Sequence, residues 1–364
     1  MPPPISSVSL GESLLCQASS TTLQTAASNA SYSSFPLNSP NTTKCVPNNN
    51  NSTSLENDAK NFAYVTLLTR DSYLMGVQCL YRSLQAVHSK HSLIVLYTPD
   101  TLTAQAVSTL KTEGCILLRP VKPYFPPVSA AVDHSLYKNK CYADCWTKLL
   151  MWEMEEYDLL VYLDADMLVI RNIDHLFHLP RAYQQQLQKH QMHPASNISP
   201  SQSQLWAVPD CAAGRETENE RLQCCLFTHN HKKHATKNHH YRYFNAGMLI
   251  FSPSIALFKS FTQALSSGTC PIQGYAEQDF LNHYFQHTWQ PLSTSFNLQK
   301  GIRWHHPELW FPEEAAIIHY TDCKPWHGRD HPENVDYSEI VTWWWDTYNR
   351  QKDGERDTYG VINR

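Results

Sequence analysis

Asp158-Leu-Leu-Val-Tyr-Leu-Asp-Ala-Asp-Met-Leu-Val-Ile170 is an apolar run carrying two carboxylates one residue apart, and its reading decides the fold class. Continuous aliphatic runs of this length read as strands buried on both faces. Alternate side chains of a strand share a face, so Asp164 and Asp166 are expected on one side at the strand's carboxyl end. Two like charges held together there favour a cation beside them. Oxygen ligands suit Mg2+ or Mn2+ rather than zinc, and few protein ligands leave coordination sites for the phosphates of a substrate. The triplet alone fits a solvated turn at a strand end at least as well, so its surroundings must carry the argument.

Toward the amino terminus, Phe62-Ala-Tyr-Val-Thr-Leu-Leu68 reads as a second buried strand. Leu74, Val77, Leu80, Tyr81, Leu84 and Val87 then recur at helical spacing, with Asp71 or Ser72 as the expected cap. Ser92 to Thr98 is the next strand, Leu102, Ala106 and Leu110 mark a helix stopped at Gly114, Cys115 to Leu118 is a third strand, and Tyr142 to Glu155 is a helix. Alternation of this kind predicts an α/β domain whose parallel sheet is covered on both faces. Ligands of such sheets bind beyond the carboxyl ends of the strands, where Thr69-Arg70-Asp71-Ser72-Tyr73 and the two aspartates both fall.

Composition narrows the ligand. Among 364 residues there are 11 glycines, and neither a G-x-G-x-x-G nor a G-x-x-x-x-G-K-[ST] run occurs, so a glycine-rich phosphate cradle is not expected. Metal and lysine must then neutralise any phosphates, which fits a sugar nucleotide better than a dinucleotide or ATP. A formal charge of -4 gives no electrostatic footprint for nucleic acid, and no apolar run approaches the roughly 18 residues that suggest a membrane span. The 11 cysteines lack a C-x-x-C framework and the amino terminus lacks a signal-like apolar segment, which predicts reduced thiols in a cytoplasmic setting. Small-molecule partners are expected, and a homo-oligomer is compatible with the sequence.

Residues 1–58, rich in Ser, Asn, Thr and Pro, read as a disordered leader, 59–350 as the folded domain and 351–364 as a flexible tail. Within the domain, 181–240 breaks the pattern with Gln, His and Ser, and Cys211, Cys224, Cys225, His229, His231, His234, His239 and His240 crowd together. No ligand spacing organises these residues, so the segment reads as a surface insertion rather than a zinc site.

Regular texture returns at Tyr241-Arg-Tyr-Phe-Asn-Ala-Gly-Met-Leu-Ile-Phe251, a strand with Asn245 near its entrance. Gly274 to Phe285 reads as a helix whose first turn holds Glu277, Gln278 and Asp279; these either complement the helix amino terminus or grip sugar hydroxyls. Ala316-Ile-Ile-His-Tyr-Thr-Asp-Cys-Lys-Pro-Trp326 ends an apolar strand with a histidine and sets a lysine five residues on, so His319 is a candidate third ligand and Lys324 a point charge for phosphate. In the tail of the domain, Asp336 and Glu339 resemble a capping box before a helix bearing Ile340, Trp343, Trp344 and Tyr348 on one face.

Tyr64-Val-Thr-Leu-Leu-Thr69, Trp146-Thr-Lys-Leu149, Leu163-Asp-Ala-Asp166, Phe244-Asn-Ala-Gly247, Glu277-Gln-Asp-Phe-Leu-Asn282 and His319 to Trp326, in that order, resemble retaining glycosyltransferase family 8, the group of glycogenin and galactinol synthase. The resemblance runs from Phe62 to Tyr348 outside the insertion. Tyr243 to Met248, Tyr275 to Asn282, Arg303-Trp-His-His-Pro-Glu308 and Trp343-Trp-Trp-Asp-Thr-Tyr-Asn349 are similar to the galactinol synthase branch. Arg70 stands where glycogenin-like sequences often carry Asn, Gly274 replaces an acidic residue, and the His319 to Lys324 loop is shorter than in either relative.

That resemblance implies a Rossmann-like nucleotide-diphospho-sugar transferase fold of GT-A type, with Mn2+ or Mg2+ held by Asp164, Asp166 and His319. Leu67, Thr69 and Tyr73 would line the uridine pocket, Lys324 would meet the diphosphate, and Lys148 would lie near donor phosphate or sugar. Asn245, Glu277 and Gln278 would hold the transferred sugar, with Gln278 near the anomeric carbon. The implied reaction moves galactose or glucose from UDP-galactose or UDP-glucose to a small polyol or saccharide, with myo-inositol favoured. The alternatives are a glycogenin-like glucosyltransferase and a catalytically silent sugar-nucleotide-binding protein of the same fold, although for the latter both aspartates, His319 and Lys324 are all present.

Overall fold

In the computed structural model, residues 61–114, 116–126, 137, 142–189, 205–210, 243–270, 272 and 274–350 are described. The leader, the tail and the Cys211 to His240 cluster lie outside them. Strands β1 (Phe62–Leu68), β2 (Leu93–Tyr97), β3 (Ile116–Pro120) and β4 (Leu159–Leu163) form where the apolar runs predict strands, lying parallel in the order β3-β2-β1-β4. Helix α1 (Leu74–Ala86) follows β1 and α2 (Ala104–Thr112) follows β2. Asp71 and Ser72 do not cap α1: they sit in a 3-10 turn before it, and the Asp71 carboxylate instead accepts the backbone N–H of Thr103 at 3.0 Å. The helix expected over Tyr142 to Glu155 is a short α3 (Tyr142–Cys145) continued by a 3-10 segment, Trp146–Glu153.

The carboxylate run is not one strand. β4 ends at Leu163, Asp164-Ala165-Asp166 makes a turn closed by Met167 N donating to Asp164 O at 3.2 Å, and β5 (Met167–Val169) leaves for a second sheet. Strand alternation therefore does not set the two aspartates; the turn does.

Beyond β5, α4 (Leu179–Lys189) enters the segment read as an insertion, and Leu205-Trp-Ala-Val-Pro209 within it is β6, buried throughout. A five-residue apolar island in Gln- and His-rich text hides in composition, yet it pairs antiparallel with β7 (Phe244–Phe251), itself antiparallel to β4. After α5 (Ile255–Ser267) and α6 (Glu277–Tyr284), β8 (Gln290–Pro291) closes the seven-stranded sheet, which is mixed rather than all parallel. Both faces are covered. Ala63 and Val65 of β1 join one core with Trp152, Phe261 and Phe280, while Tyr64 and Leu68 join the other with Val77, Leu80 and Leu110. Trp152 stacks on Phe251 at 4.1 Å, and truncating a ring of this kind typically costs about 3–5 kcal/mol.

The second sheet runs β5-β10-β9, with β9 (Leu298–Gln299) parallel and β5 antiparallel to β10 (Ile317–His319). Helix α7 (Ile302–His305) separates β9 from β10, and α8 (Pro332–Val335) and α9 (Ser338–Asn349) finish the described chain. The Asp336–Glu339 capping box is absent: α9 starts at Ser338, its N-cap is Tyr337, and no side chain caps it. Ile340, Val341 and Trp344 do form a buried face against Leu168, Ile318 and Tyr320.

Helix α1 is the element against which the carboxylate turn and the Lys324 loop both nest. A Cβ at Gly76 would lie 2.4 Å from the Ala165 carbonyl oxygen and 2.8 Å from the Trp326 ring. Alanine in a helix interior normally gains up to about 1 kcal/mol over glycine. Here the overlap with backbone reverses the sign, so Gly76→Ala is expected to destabilise by about 1–3 kcal/mol in thermal unfolding. A melting temperature at or above wild type would contradict this close approach.

Candidate active site

A cleft of about 330 Å³ opens beyond the carboxyl ends of β1 and β4, in the size range of small-ligand sites. Its lining includes each of the residues singled out from sequence: Leu67, Thr69, Tyr73, Lys148, Asp164, Asp166, Asn245, Glu277, Gln278, His319 and Lys324. They arrive from β1 and the turn after it, the Trp146–Glu153 3-10 segment, the carboxylate turn, β7, α6, β10 and the loop after β10, so the fold brings together positions up to 257 residues apart, from Leu67 to Lys324.

Asp164, Asp166 and His319 each offer a ligand atom within 4.8 Å of the others. A chain of hydrogen bonds fixes the imidazole. Gly247 N donates to Asn245 Oδ1 at 2.9 Å, so that atom is an acceptor and also receives Asn297 Nδ2 at 2.9 Å. Asn297 Oδ1 is then the acceptor that His319 Nδ1–H reaches at 2.9 Å. In the neutral ring this leaves the Nε2 lone pair facing Asp166 Oδ1 at 3.3 Å and Asp164 Oδ2 at 4.0 Å. Facing acceptors at that spacing suit a shared cation, since an octahedral ion with bonds of about 2.1 Å sets neighbouring ligands roughly 3 Å apart. Gly247 provides the room: a Cβ there would lie 2.6 Å from His319 Cε1 and 2.9 Å from Asp164 Oδ2.

Charge points the same way. Around the triad the carboxylates of Asp164, Asp166 and Glu277 face the ammonium groups of Lys148 and Lys324, three negative against two positive, leaving one negative charge uncompensated. Lys148 Nζ lies 2.7 Å from Glu277 Oε1, 3.4 Å from Asp164 Oδ1 and 3.1 Å from the Ala246 carbonyl. Burial would lower the Lys148 ammonium, but Asp164 and Glu277 outweigh it and hold it above its ordinary value. Burial, only partly opposed by Lys148, pushes the Glu277 carboxyl up. Lys324 Nζ donates to Asp166 Oδ2 at 2.5 Å and to the Tyr320 carbonyl at 2.9 Å. Burial would raise Asp166, yet the Lys324 ammonium holds it well below the usual carboxylate range.

The start of α6 divides its labour. Asp279 accepts Gly274 N and Tyr275 N at 2.9 and 2.8 Å and Tyr243 Oη–H at 2.6 Å, which is the structural role expected of an acidic first turn. Glu277 and Gln278 turn to the cleft instead. Gln278 is held on both ends of its amide, accepting Ala246 N at 2.9 Å and donating to Asp210 at 3.0 Å and Tyr243 at 3.2 Å.

Other residues of the site are not signalled by the sequence. Tyr162 donates to Asp164 Oδ1 at 2.5 Å, Asp144 pairs with Arg70 at 2.5 Å beside Thr69, and Asp210 in the lining and Asn297 buried behind it orient Gln278 and His319. Asn297 could have been suspected as a polar residue at a strand entrance, like Asn245. Asp210 could not, because β6 itself was hidden.

Residues 64–330 match the family described as glycosyl transferase family 8. The chain belongs to that family. This family 8 glycosyltransferase is 32% identical over 298 residues to galactinol synthase 6 of Arabidopsis thaliana, covering 79% of this chain and 80% of the relative. It is 30% identical over 313 residues to galactinol synthase 2 of Solanum lycopersicum, covering 83% and 84%. Among solved structures, the galactosyltransferase LgtC in complex with donor and acceptor sugar analogs aligns with 79% of this chain and 95% of its own, with 18% identity and a TM-score of 0.48. The architecture is the Rossmann-like, GT-A-type fold expected from sequence. Among the described residues, no helix is long and apolar enough to cross a membrane.

Proposed function

We propose that this family 8 glycosyltransferase moves galactose from UDP-galactose to a hydroxyl of myo-inositol, with retention at the anomeric carbon. One conjunction carries the reading: a convergent Asp164–Asp166–His319 set lies in the cleft of a chain whose relatives named above are galactinol synthases over about four-fifths of both lengths.

The residues fit a divalent ion of the Mn2+ type held by Asp164, Asp166 and His319. When bound, such an ion supplies charge neutralisation for the donor's diphosphate and for UDP as it leaves. Leu67, Thr69 and Tyr73 wall the nucleoside end of the cleft. Lys324, now on Asp166, is the point charge that can turn to the diphosphate. Lys148 pins Glu277, so that the remaining carboxylate oxygen can accept a sugar hydroxyl. The Oδ1 atom of Asn245 is committed to Gly247 and Asn297, which leaves its amide nitrogen for the donor sugar. Gln278, clamped at both ends, is a fixed wall near the anomeric carbon rather than a mobile nucleophile. The acceptor hydroxyl would attack from the face that UDP leaves, its proton passing to the departing phosphate oxygen.

The test is UDP release by EDTA-treated full chain supplied with UDP-galactose, with and without myo-inositol and Mn2+. Release is expected only when Mn2+ is restored, and to rise with myo-inositol. Release from UDP-glucose but not UDP-galactose would overturn the donor. Release indifferent to myo-inositol would overturn the acceptor.

A further inference from the structure

Gln299 ends β9 and is the register partner of His319 on β10. Register partners of a parallel pair project to the same face, so the glutamine side chain stands beside the imidazole in the cleft wall. Only 7% of Gln299 is exposed, and its Nε2 has no hydrogen-bond partner among the described residues. A buried amide N–H without a partner is rare in folded proteins. Leucine or methionine would fill the same space without that cost, so the amide points to a partner that arrives from outside the chain. The terminal torsion of glutamine is soft, which lets the N–H swing into the cleft when an acceptor oxygen is present.

The surrounding groups identify the ligand class. Thr321, Asp322 and His305 line the same cleft, and Asp322 is held in the left-handed backbone region at φ 62. Lys300 Nζ is committed to the Cys323 carbonyl at 2.7 Å. An amide, a hydroxyl and a carboxylate recognise hydroxyl groups. The nucleoside end of the cleft, at Leu67, Thr69 and Tyr73, is formed by other elements. We infer that Gln299, supported by Asp322, recognises the acceptor, donating a hydrogen bond from its side-chain amide to a hydroxyl of a neutral polyol. This rests on the galactosyl-transfer reading and assigns the acceptor half of the same cleft.

Steady-state kinetics of the full chain with Mn2+, UDP-galactose and myo-inositol test it. Gln299→Leu keeps the volume and removes the amide. The KM for myo-inositol is expected to rise about tenfold or more, as for a lost hydrogen bond in a dry site, while the KM for UDP-galactose moves less than about twofold. Should the leucine variant fold poorly, Gln299→Glu, which replaces the donor by an acceptor, and the exposed Asp322→Asn carry the same expectation. If another neutral polyol proves to be the acceptor, the same split in its KM supports the assignment. An unchanged acceptor KM, or donor and acceptor KM rising together, overturns Gln299 as the acceptor contact while wild-type transfer keeps the function. No UDP release by wild type from UDP-galactose with any acceptor overturns both.

Discussion

Asp164→Asn is expected to lower kcat for transfer by about 10²–10³-fold or more, with little change in melting temperature. The carboxylate is 29% exposed, and asparagine can still accept the Tyr162 hydroxyl through its own oxygen. Lys148 keeps Glu277 as a counter-ion. What the substitution removes is one negative charge of the proposed metal site beside His319. Asp166→Asn separates the two kinds of damage. That carboxylate is buried and compensates the Lys324 ammonium, so its loss is expected to remove activity and also to cost about 3–5 kcal/mol of stability, as breaking a buried ion pair does. Kinetics and thermal unfolding of the two variants in parallel check this. An active Asp164→Asn enzyme, or two variants of equal stability, would count against the geometry of the triad.

Gly247→Ala carries the second large effect. The new methyl would lie 2.6 Å from His319 Cε1, 2.8 Å from Asn245 Oδ1 and 2.9 Å from Asp164 Oδ2, so it strikes a proposed ligand on either side and the residue that holds Asn297 against the imidazole. The backbone is not free to retreat. Gly247 O accepts Asp164 N at 2.8 Å, and Gly247 N donates to Asn245. Mn2+ affinity is therefore expected to fall about 10- to 100-fold or more, the range seen when groups that orient metal ligands are lost. Wild type at an Mn2+ concentration of about 100 times Kd should gain roughly 2.7 kcal/mol of stability, and the variant should gain far less at the same concentration. Calorimetric titration with Mn2+ reads the affinity directly. Equal affinity in the two proteins would show that the ion, if it binds, sits elsewhere.

Much of this site was legible because it hangs on strand ends. β1 and β2 are continuous apolar runs, and any chain with such runs alternating with amphipathic helices must place its ligand beyond their carboxyl ends. The residues of the cleft could then be picked at the ends of runs, and the family resemblance supplied their expected roles. Nothing local in the 158–170 run reveals that Met167–Val169 pairs with Ile317–His319, about 150 residues away, so the run has the pattern of one strand. The aspartates converge all the same, because the chain must turn between two sheets at that point. β6 was missed because its five apolar residues sit in polar text and owe their burial to β7 and β8. Asn297 and Asp210 are hidden for a related reason: each gains its role from the amide or imidazole that tertiary structure brings to it. Helix ends were the weakest reading. Asp71 and Asp336 are both plausible caps by type, but the helices begin later in the chain than either residue.

The measurement that bears most directly on the account is the identity and anomeric configuration of the product formed from UDP-galactose and myo-inositol with Mn2+, read by mass spectrometry and proton NMR. A single galactosyl-inositol with the α configuration of the donor is expected. A β-linked product, or free galactose as the only new species, would contradict it.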